Sequence, residues 1–288
     1  MAVYERAYRG YDGPQAQPWS RFAVISRYAL RDVFRSRFFL AFFVACLVWP
    51  LACAVVIYLH YNLEALSILD LSALELIKID TTFFRMAYLI PQSLLAFLMV
   101  LIVGPALVSP DLRNNALPLI LSRPLNKTDY VVGKFLVLAL LTSSITWIPG
   151  LSLFALQSFL AGFSWMTEHL RLAFALFVGS WVWIVALSTF ALAVSAWVKW
   201  KPWARIVFLG FTFIMSAVGQ VFSLVFEVPL GRVLSIFDVA DRIWDSLFGV
   251  AQSSIDLPAP LAWAAMFLFT LVSVGILYRR LRAFEVVS

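Results

Sequence analysis

The hydrophobic positions of this chain come in six long runs rather than in short periodic stripes. They predict membrane spans at Phe38–Tyr58, Met86–Val108, Phe135–Ala161, Leu172–Val198, Ile206–Phe226 and Ala259–Tyr278. Each is near the roughly 20 residues that carry a helix across a bilayer. The third and fourth are long enough to tilt or to run past the membrane. The expected fold is therefore an all-α integral membrane protein with one six-helix domain over residues 38–278. Pro50, Pro105 and Pro149 fall inside spans. Proline lacks an N–H and clashes with the preceding turn, so each should kink or end its helix locally. Gly150 beside Pro149 makes the third span the strongest candidate for a kink.

The polar stretches have patterns of their own. Residues 1–18 are rich in Gly, Pro, Gln and Tyr without an apolar period, and are expected to be a disordered N-terminus. Over residues 19–37, Phe22, Ile25, Ala29, Val33 and Phe34 repeat at helical spacing, surrounded by Arg21, Arg27, Arg31 and Arg35. This predicts a basic amphipathic helix, lying in the headgroup layer or packed on a soluble partner. Between the second and third runs lies SPDLRNNALPLILSRPLNKTDYVVGK, residues 109–134. Ser109-Pro110-Asp111 reads as a helix start, with a hydroxyl cap, an early proline and a first-turn carboxylate. Pro118 should break the chain near Leu117, and a short helix presenting Leu117, Ile120 and Leu121 on one face should run to Pro124. Asn126 and Asp129 form the ends of a capping box, with Asp in place of Glu, that opens the third span. Residues 60–85 interleave leucines with Glu64, Asp70 and Glu75. Residues 228–258 predict an amphipathic helix with Asp238, Asp241 and Asp245 on one face and Val233, Ile236, Phe237, Ala240, Trp244 and Leu247 on the other. Asp238 should pair with Arg242, and Gly249 should stop the helix.

Composition excludes a soluble protein. Of 288 residues, 62% are hydrophobic and 13% charged, with mean hydropathy +0.90. Soluble domains run about 45–50% apolar and about 25% charged. The formal charge of +6 suggests a nucleic-acid partner until the cations are located. Segments 1–37, 109–134, 199–205 and 279–288 hold 17 of the 22 Lys and Arg residues, and the opposite side holds ten of the 16 acids. The positive-inside rule puts both termini, the 279–288 tail and the 109–134 loop in the cytoplasm. The basic excess is thus a topology signal with affinity for anionic lipid. Cys46 and Cys53 lie seven apart on one helix, where a disulfide cannot form, and read as small apolar residues.

No ionisable side chain lies deep in a predicted span, so the usual proton or ion relay of a coupled transporter is missing. Gln92, Gln157 and Gln220, with hydroxyls such as Ser188 and Ser195, either bond helix to helix or line a substrate path. Gly133-Lys134 matches the end of a phosphate-binding loop, but Thr128 and Phe135 stand where that loop requires Gly and Ser or Thr. Gly133 reads instead as a small residue at a tight interface, and Lys134 as a lysine reaching the headgroups. His60 and His169 are the two histidines, both at the outer edge. No catalytic residue, cofactor or metal site is expected on this chain.

Two short stretches, Leu121-Ser122-Arg123-Pro124-Leu125 and Asp129-Tyr130-Val131-Val132-Gly133-Lys134, resemble the loop between the second and third helices of ABC-2-type transporter permeases. That family shows an acidic residue, a short helix, a Leu-Ser-x-Pro turn and an aromatic-x-x-Gly-Lys start to the next span. Asn115 stands where many members have glycine. The resemblance implies a permease dimer, homo- or heteromeric, working with a separate cytoplasmic ABC ATPase that carries the ATP and Mg. The loop would dock on that ATPase as a coupling helix, through Asp111, Arg113, Leu117, Ile120, Leu121, Arg123, Pro124, Asp129, Tyr130 and Lys134. ATP-driven motion would then tilt the second and third spans and change access at the dimer interface. Short outer loops and an apolar bundle suit a lipid-like or hydrophobic cargo in a plasma membrane, a bacterial cytoplasmic membrane first. Two other readings stay open: a subunit that transmits ATP work to an outer partner without transport, and a membrane redox or enzyme scaffold.

Overall fold

The computed structural model describes residues 21–62, 78–116, 126–250 and 255–282, and every regular element among them is helical. The predicted N-terminal disorder, most of the 60–85 segment, and Leu117, Ile120, Leu121, Arg123 and Pro124 lie outside the described residues. The elements are α1 (Arg21–Phe34), α2 (Arg37–His60), α3 (Phe83–Arg113), α4 (Lys127–Ala161), α5 (Phe163–Glu168), α6 (Leu170–Trp197), α7 (Lys201–Phe226), α8 (Ile236–Phe248) and α9 (Ala259–Arg282). Six of them, α2, α3, α4, α6, α7 and α9, are long and apolar enough to cross a membrane. This is the architecture of an integral membrane protein.

Half of the most apolar window is buried in α3, α4 and α6, against 22% in α2, α7 and α9. The first three therefore make the inner bundle and the others present most of their surface outward. α6 is the hub, in contact with α3, α4, α7, α8 and α9. Its inward face carries Ala175, Gly179, Ser180, Ala186, Ser188, Ala191 and Ser195, all buried. Small side chains let helix backbones approach closely, which is what holds helices together where lipid removes the hydrophobic drive.

Two inner helices are broken. In α3 a π-helical turn, Phe83–Leu89, leads into Ile90–Val103, and a new segment Pro105–Arg113 begins after Gly104. In α4 the break is at Thr146, with φ −105° and ψ −95°, and Trp147–Ala161 resumes beyond it. Pro149 cannot donate to the carbonyl four residues back, so the ladder is interrupted where the sequence led one to expect it. The break is tied to α3: the Tyr88 hydroxyl donates to the Thr146 carbonyl, which also accepts the Gly150 N–H at 3.0 Å. Pro50, by contrast, sits inside an uninterrupted α2.

The expected helix start at Ser109 is not one. Ser109 lies inside the second half of α3, which runs on to Arg113. Its hydroxyl donates to Val198 O at 2.7 Å instead of capping its own helix, and Ser195 Oγ accepts the N–H groups of Val108 and Ser109 at 3.2 and 2.9 Å. α6 thereby satisfies amides around the proline-disturbed turn, and a tertiary contact replaces the local cap. α3 ends with Asn115 at φ 49°, the left-handed conformation that glycine takes freely and Asn better than most residues.

Helix α8 forms with Ile236, Ala240 and Trp244 buried as the hydrophobic pattern predicts, but Val233, expected on the same face, lies in a separate 3-10 turn, Pro229–Leu234, before it. Ser235 caps it by accepting the Asp238 N–H at 3.2 Å, and Gly249 ends it at φ 75°. The expected Asp238–Arg242 pair does not form. Arg242 donates instead to the carbonyl of the buried Leu257, at 2.5 Å, just before α9.

Candidate functional site

The residues expected to couple to a partner divide into two sets. Leu117, Ile120, Leu121, Arg123 and Pro124 lie outside the described residues, whereas Asp111, Arg113, Asp129, Tyr130 and Lys134 flank them on the facing ends of α3 and α4. Asp129 completes the predicted capping box, its carboxylate accepting the Asn126 N–H at 3.1 Å. That fixes the first turn of α4 and so the direction in which its next residues project.

Tyr130 and Lys134, four apart, share one helix face and both reach Asp111 Oδ2. The Tyr130 hydroxyl donates at 2.7 Å and the Lys134 ammonium pairs at 2.9 Å. Lys134 also donates to the Leu107 carbonyl at 2.7 Å and lies 5.3 Å from the centre of the Tyr130 ring. Tyr130 is 1% exposed, and Lys134 and Asp111 are 12% and 22% exposed. Lys134 therefore turns inward rather than to the headgroups, because a partly buried carboxylate is the better partner for its charge. Arg113 takes another direction and stacks its guanidinium 4.4 Å from the centre of the Trp200 ring, at the head of α7.

Gly133 sits on the neighbouring face of α4, turned toward α1. A Cβ there would lie 2.9 Å from Ile25 Cβ and 3.0 Å from Phe22 O. The missing side chain is what lets α1 lie against α4, and Ser26 Oγ seals the approach by donating to Gly133 O at 2.8 Å. Each distinctive residue of the Tyr130–Lys134 stretch thus has a packing role. The aromatic and the lysine hold α3, and the glycine admits α1. One face of α1 is committed to its own chain, while Val24 and Tyr28 remain exposed beside Arg27 and Arg31.

The three glutamines are not brought together. Gln92 and Gln157 are buried and both address the first span: Gln92 Nε2 donates to Cys46 O at 3.0 Å, and Gln157 Nε2 to the Tyr61 hydroxyl at 2.6 Å. Gln220 is exposed on α7. Cys46 and Cys53 are free and buried in α2. His169 stacks on Trp165 with ring centres 4.3 Å apart, and His60 meets Tyr61 edge-on.

Sequence reasoning missed a charged cluster at the other end of α3. Arg85 is 2% exposed and its guanidinium pairs with Asp241 at 2.6 Å and Asp245 at 2.5 Å. The signal was present, since Asp241 and Asp245 lie one turn apart on one face of α8 and Arg85 is the cation nearest the head of the second span. Burial pushes the Asp241 carboxyl above its usual value of 3.8; Arg85 opposes this, and Asp245 and Asp238 reinforce it. Burial wins because one guanidinium serves two carboxylates. Burial likewise raises Asp238, against the pull of Arg232. A second arginine steadies the same helix: Arg171 donates to the Ser246 and Leu247 carbonyls, both at 2.9 Å. A cation there complements the negative end of α8.

No protein-family model and no curated protein matches this chain.

Proposed function

We propose that this chain is the membrane-spanning permease subunit of an ABC-2-type transporter, driven by a separate cytoplasmic ABC ATPase. The observation that carries the reading is the lock among Asp111, Tyr130 and Lys134. It binds the end of α3 to the start of α4 on either side of the 114–126 segment. A push on that segment moves both helices as a unit instead of being absorbed in a slack loop. Tyr130 and Lys134 of the lock belong to a stretch that resembles the family's second-to-third-helix loop. The breaks at Gly104 and Thr146 supply points where such a push can change helix direction. The chain itself binds no nucleotide in this reading, and ATP and Mg act on the partner. Two permeases and two ATPases form the assembly, in a plasma membrane with both termini cytoplasmic, and the cargo is lipid-like or hydrophobic.

The Arg85 cluster favours a second version, in which the complex does mechanical work on an outer partner. It clamps α8 to the far end of α3, so displacement of α3 at the lock is delivered to α8. Cargo movement in vesicles separates the two versions.

The test is Ile120→Asp. A charge placed in a desolvated helix-in-groove contact removes an anchor, which costs about 2 kcal/mol or more, roughly 30-fold in affinity. The expected outcome is a normal level of protein in the membrane, with co-purification of the ATPase and stimulation of its turnover both lost. Wild-type ATPase binding together with wild-type coupled turnover would remove this loop from the mechanism. A fall in membrane level or melting temperature would assign Ile120 to internal packing.

A further inference from the structure

At the basic side of the bundle, a cavity of about 490 Å³ opens between α1, the start of α2, the second half of α3 and the head of α7. Its lining is mixed: Phe38, Phe39, Leu101 and Val103 are apolar, while Lys201, Arg205 and Asp32, with the Asp111–Lys134 pair, bring charge. Lys201 and Arg205 are four apart on the first turns of α7, so their side chains leave the same face. Both are exposed. The Lys201 ammonium has no partner among the described residues. Arg205 spends one N–H on the Ile102 carbonyl, at 2.9 Å, and keeps four others to offer. Trp200 gives the 26-residue helix no side-chain cap, so its first amides add to the positive field at this spot. The third basic group on the wall, Lys134, is already matched by Asp111.

The level of the cavity along the bundle is marked by aromatic residues. Trp197, Trp200 and Trp203 are 56%, 56% and 62% exposed and cluster around the head of α7. Exposed tryptophans gather where hydrocarbon gives way to headgroups. From the cavity, Phe38, Ala41, Ala45 and Trp49, at helical spacing, continue as an exposed apolar track along α2. A cavity within the range of small-molecule sites, about 300–1,000 Å³, therefore combines cationic and apolar lining close to headgroup depth and opens onto the apolar face of α2.

We propose that this cavity holds a glycerophospholipid from the leaflet on the basic side. Its phosphodiester lies between Lys201 and Arg205 at the N-terminus of α7, and one acyl chain runs along Phe38 and the outer face of α2. Asp32, across the cavity on α1, accepts a hydrogen bond from the headgroup hydroxyl or ammonium beyond the phosphate. The lipid joins α1, α2, α3 and α7 and is a resident of the fold, whatever cargo the protein handles. A free phosphate would use the same two cations but leave the apolar lining without a function.

The experiment is native mass spectrometry and thermal unfolding of the full chain in detergent, with dioleoylphosphatidylglycerol, dioleoylphosphatidylethanolamine and sn-glycerol 3-phosphate as separate probes. The expected result is a one-lipid adduct and a raised melting temperature with either phospholipid, and neither with glycerol phosphate. Lys201→Gln with Arg205→Gln should weaken the adduct roughly tenfold, the loss that goes with one or two charge-assisted hydrogen bonds. Lys201→Arg should retain it, and serves if the double variant fails to fold. Equal adducts in wild type and the double variant would overturn the proposal. Equal protection by glycerol phosphate would also overturn it, by making the site one for soluble phosphate.

Discussion

At the scale of single residues, the strongest commitments are charges removed from water. Arg85 and Asp245 are 2% and 1% exposed, and neither could be left alone at that depth. Breaking a buried ion pair costs about 3–5 kcal/mol, because the remaining charge is stranded. Asp245→Ala leaves Arg85 only the partly exposed Asp241 and should lower the melting temperature in detergent. Asp241→Ala should cost less, since Asp241 is 27% exposed and the partner left on Arg85 is the fully buried Asp245. The pH dependence follows from the raised Asp241 carboxyl. A carboxyl held above its unfolded value favours the fold fully while protonated, below 3.8. That contribution is lost as the pH rises through the folded value. Melting temperature should accordingly fall as pH climbs above the ordinary carboxylate range, and Asp241→Asn should flatten the fall. A steeper fall in the variant would show that Arg85, not burial, controls this group.

Helices were easier to read than their contacts. The six spans were legible because apolar runs of this length have one stable solution in lipid. The capping box at Asn126 and the Gly249 stop were legible because both act within one turn. Ser109 shows where this fails. Its helix-start pattern is sound locally, yet Ser195, 86 positions away, offers the competing bonds that keep α3 going. Arg85 was hidden for the same reason, its partners lying 156 and 160 positions further on. In the candidate site, the roles of Asp111, Tyr130 and Lys134 as one cluster depend on how α3 and α4 meet, which no local pattern encodes. Two outcomes test the element-level account. Tyr130→Phe removes one charge-assisted hydrogen bond and should cost about 1.5–3 kcal/mol while leaving the Lys134 pair in place. Gly133→Val should push α1 off α4, since a Cβ there already meets Ile25 and the Phe22 carbonyl. A cysteine at position 26 should then gain reactivity toward a water-soluble maleimide, in a background where Cys46 and Cys53 are replaced.

For the molecule as a whole, one axis organises every feature above. α3 carries the lock with α4 at one end and the Arg85 clamp with α8 at the other, and it leans on α6 throughout. The lysines and arginines gather at the lock end and the acids at the clamp end, which is the charge asymmetry that orients a membrane protein during insertion. The lock end should therefore face the cytoplasm. This is testable with single cysteines in a background lacking Cys46 and Cys53. Cysteine at position 123 or 280 should stay unlabelled by an impermeant maleimide in intact cells and react once the membrane is opened. Cysteine at position 75 should react from outside without opening. Position 241 is the stricter probe, because its side chain is only partly exposed beside Arg85. It should label from outside slowly, and faster when Arg85 is also replaced by Gln. Labelling of position 123 in intact cells would invert the molecule. The lock would then be out of reach of any cytoplasmic ATPase, and the permease reading would fall, while the packing of α3 against α4, α6 and α8 would stand unchanged.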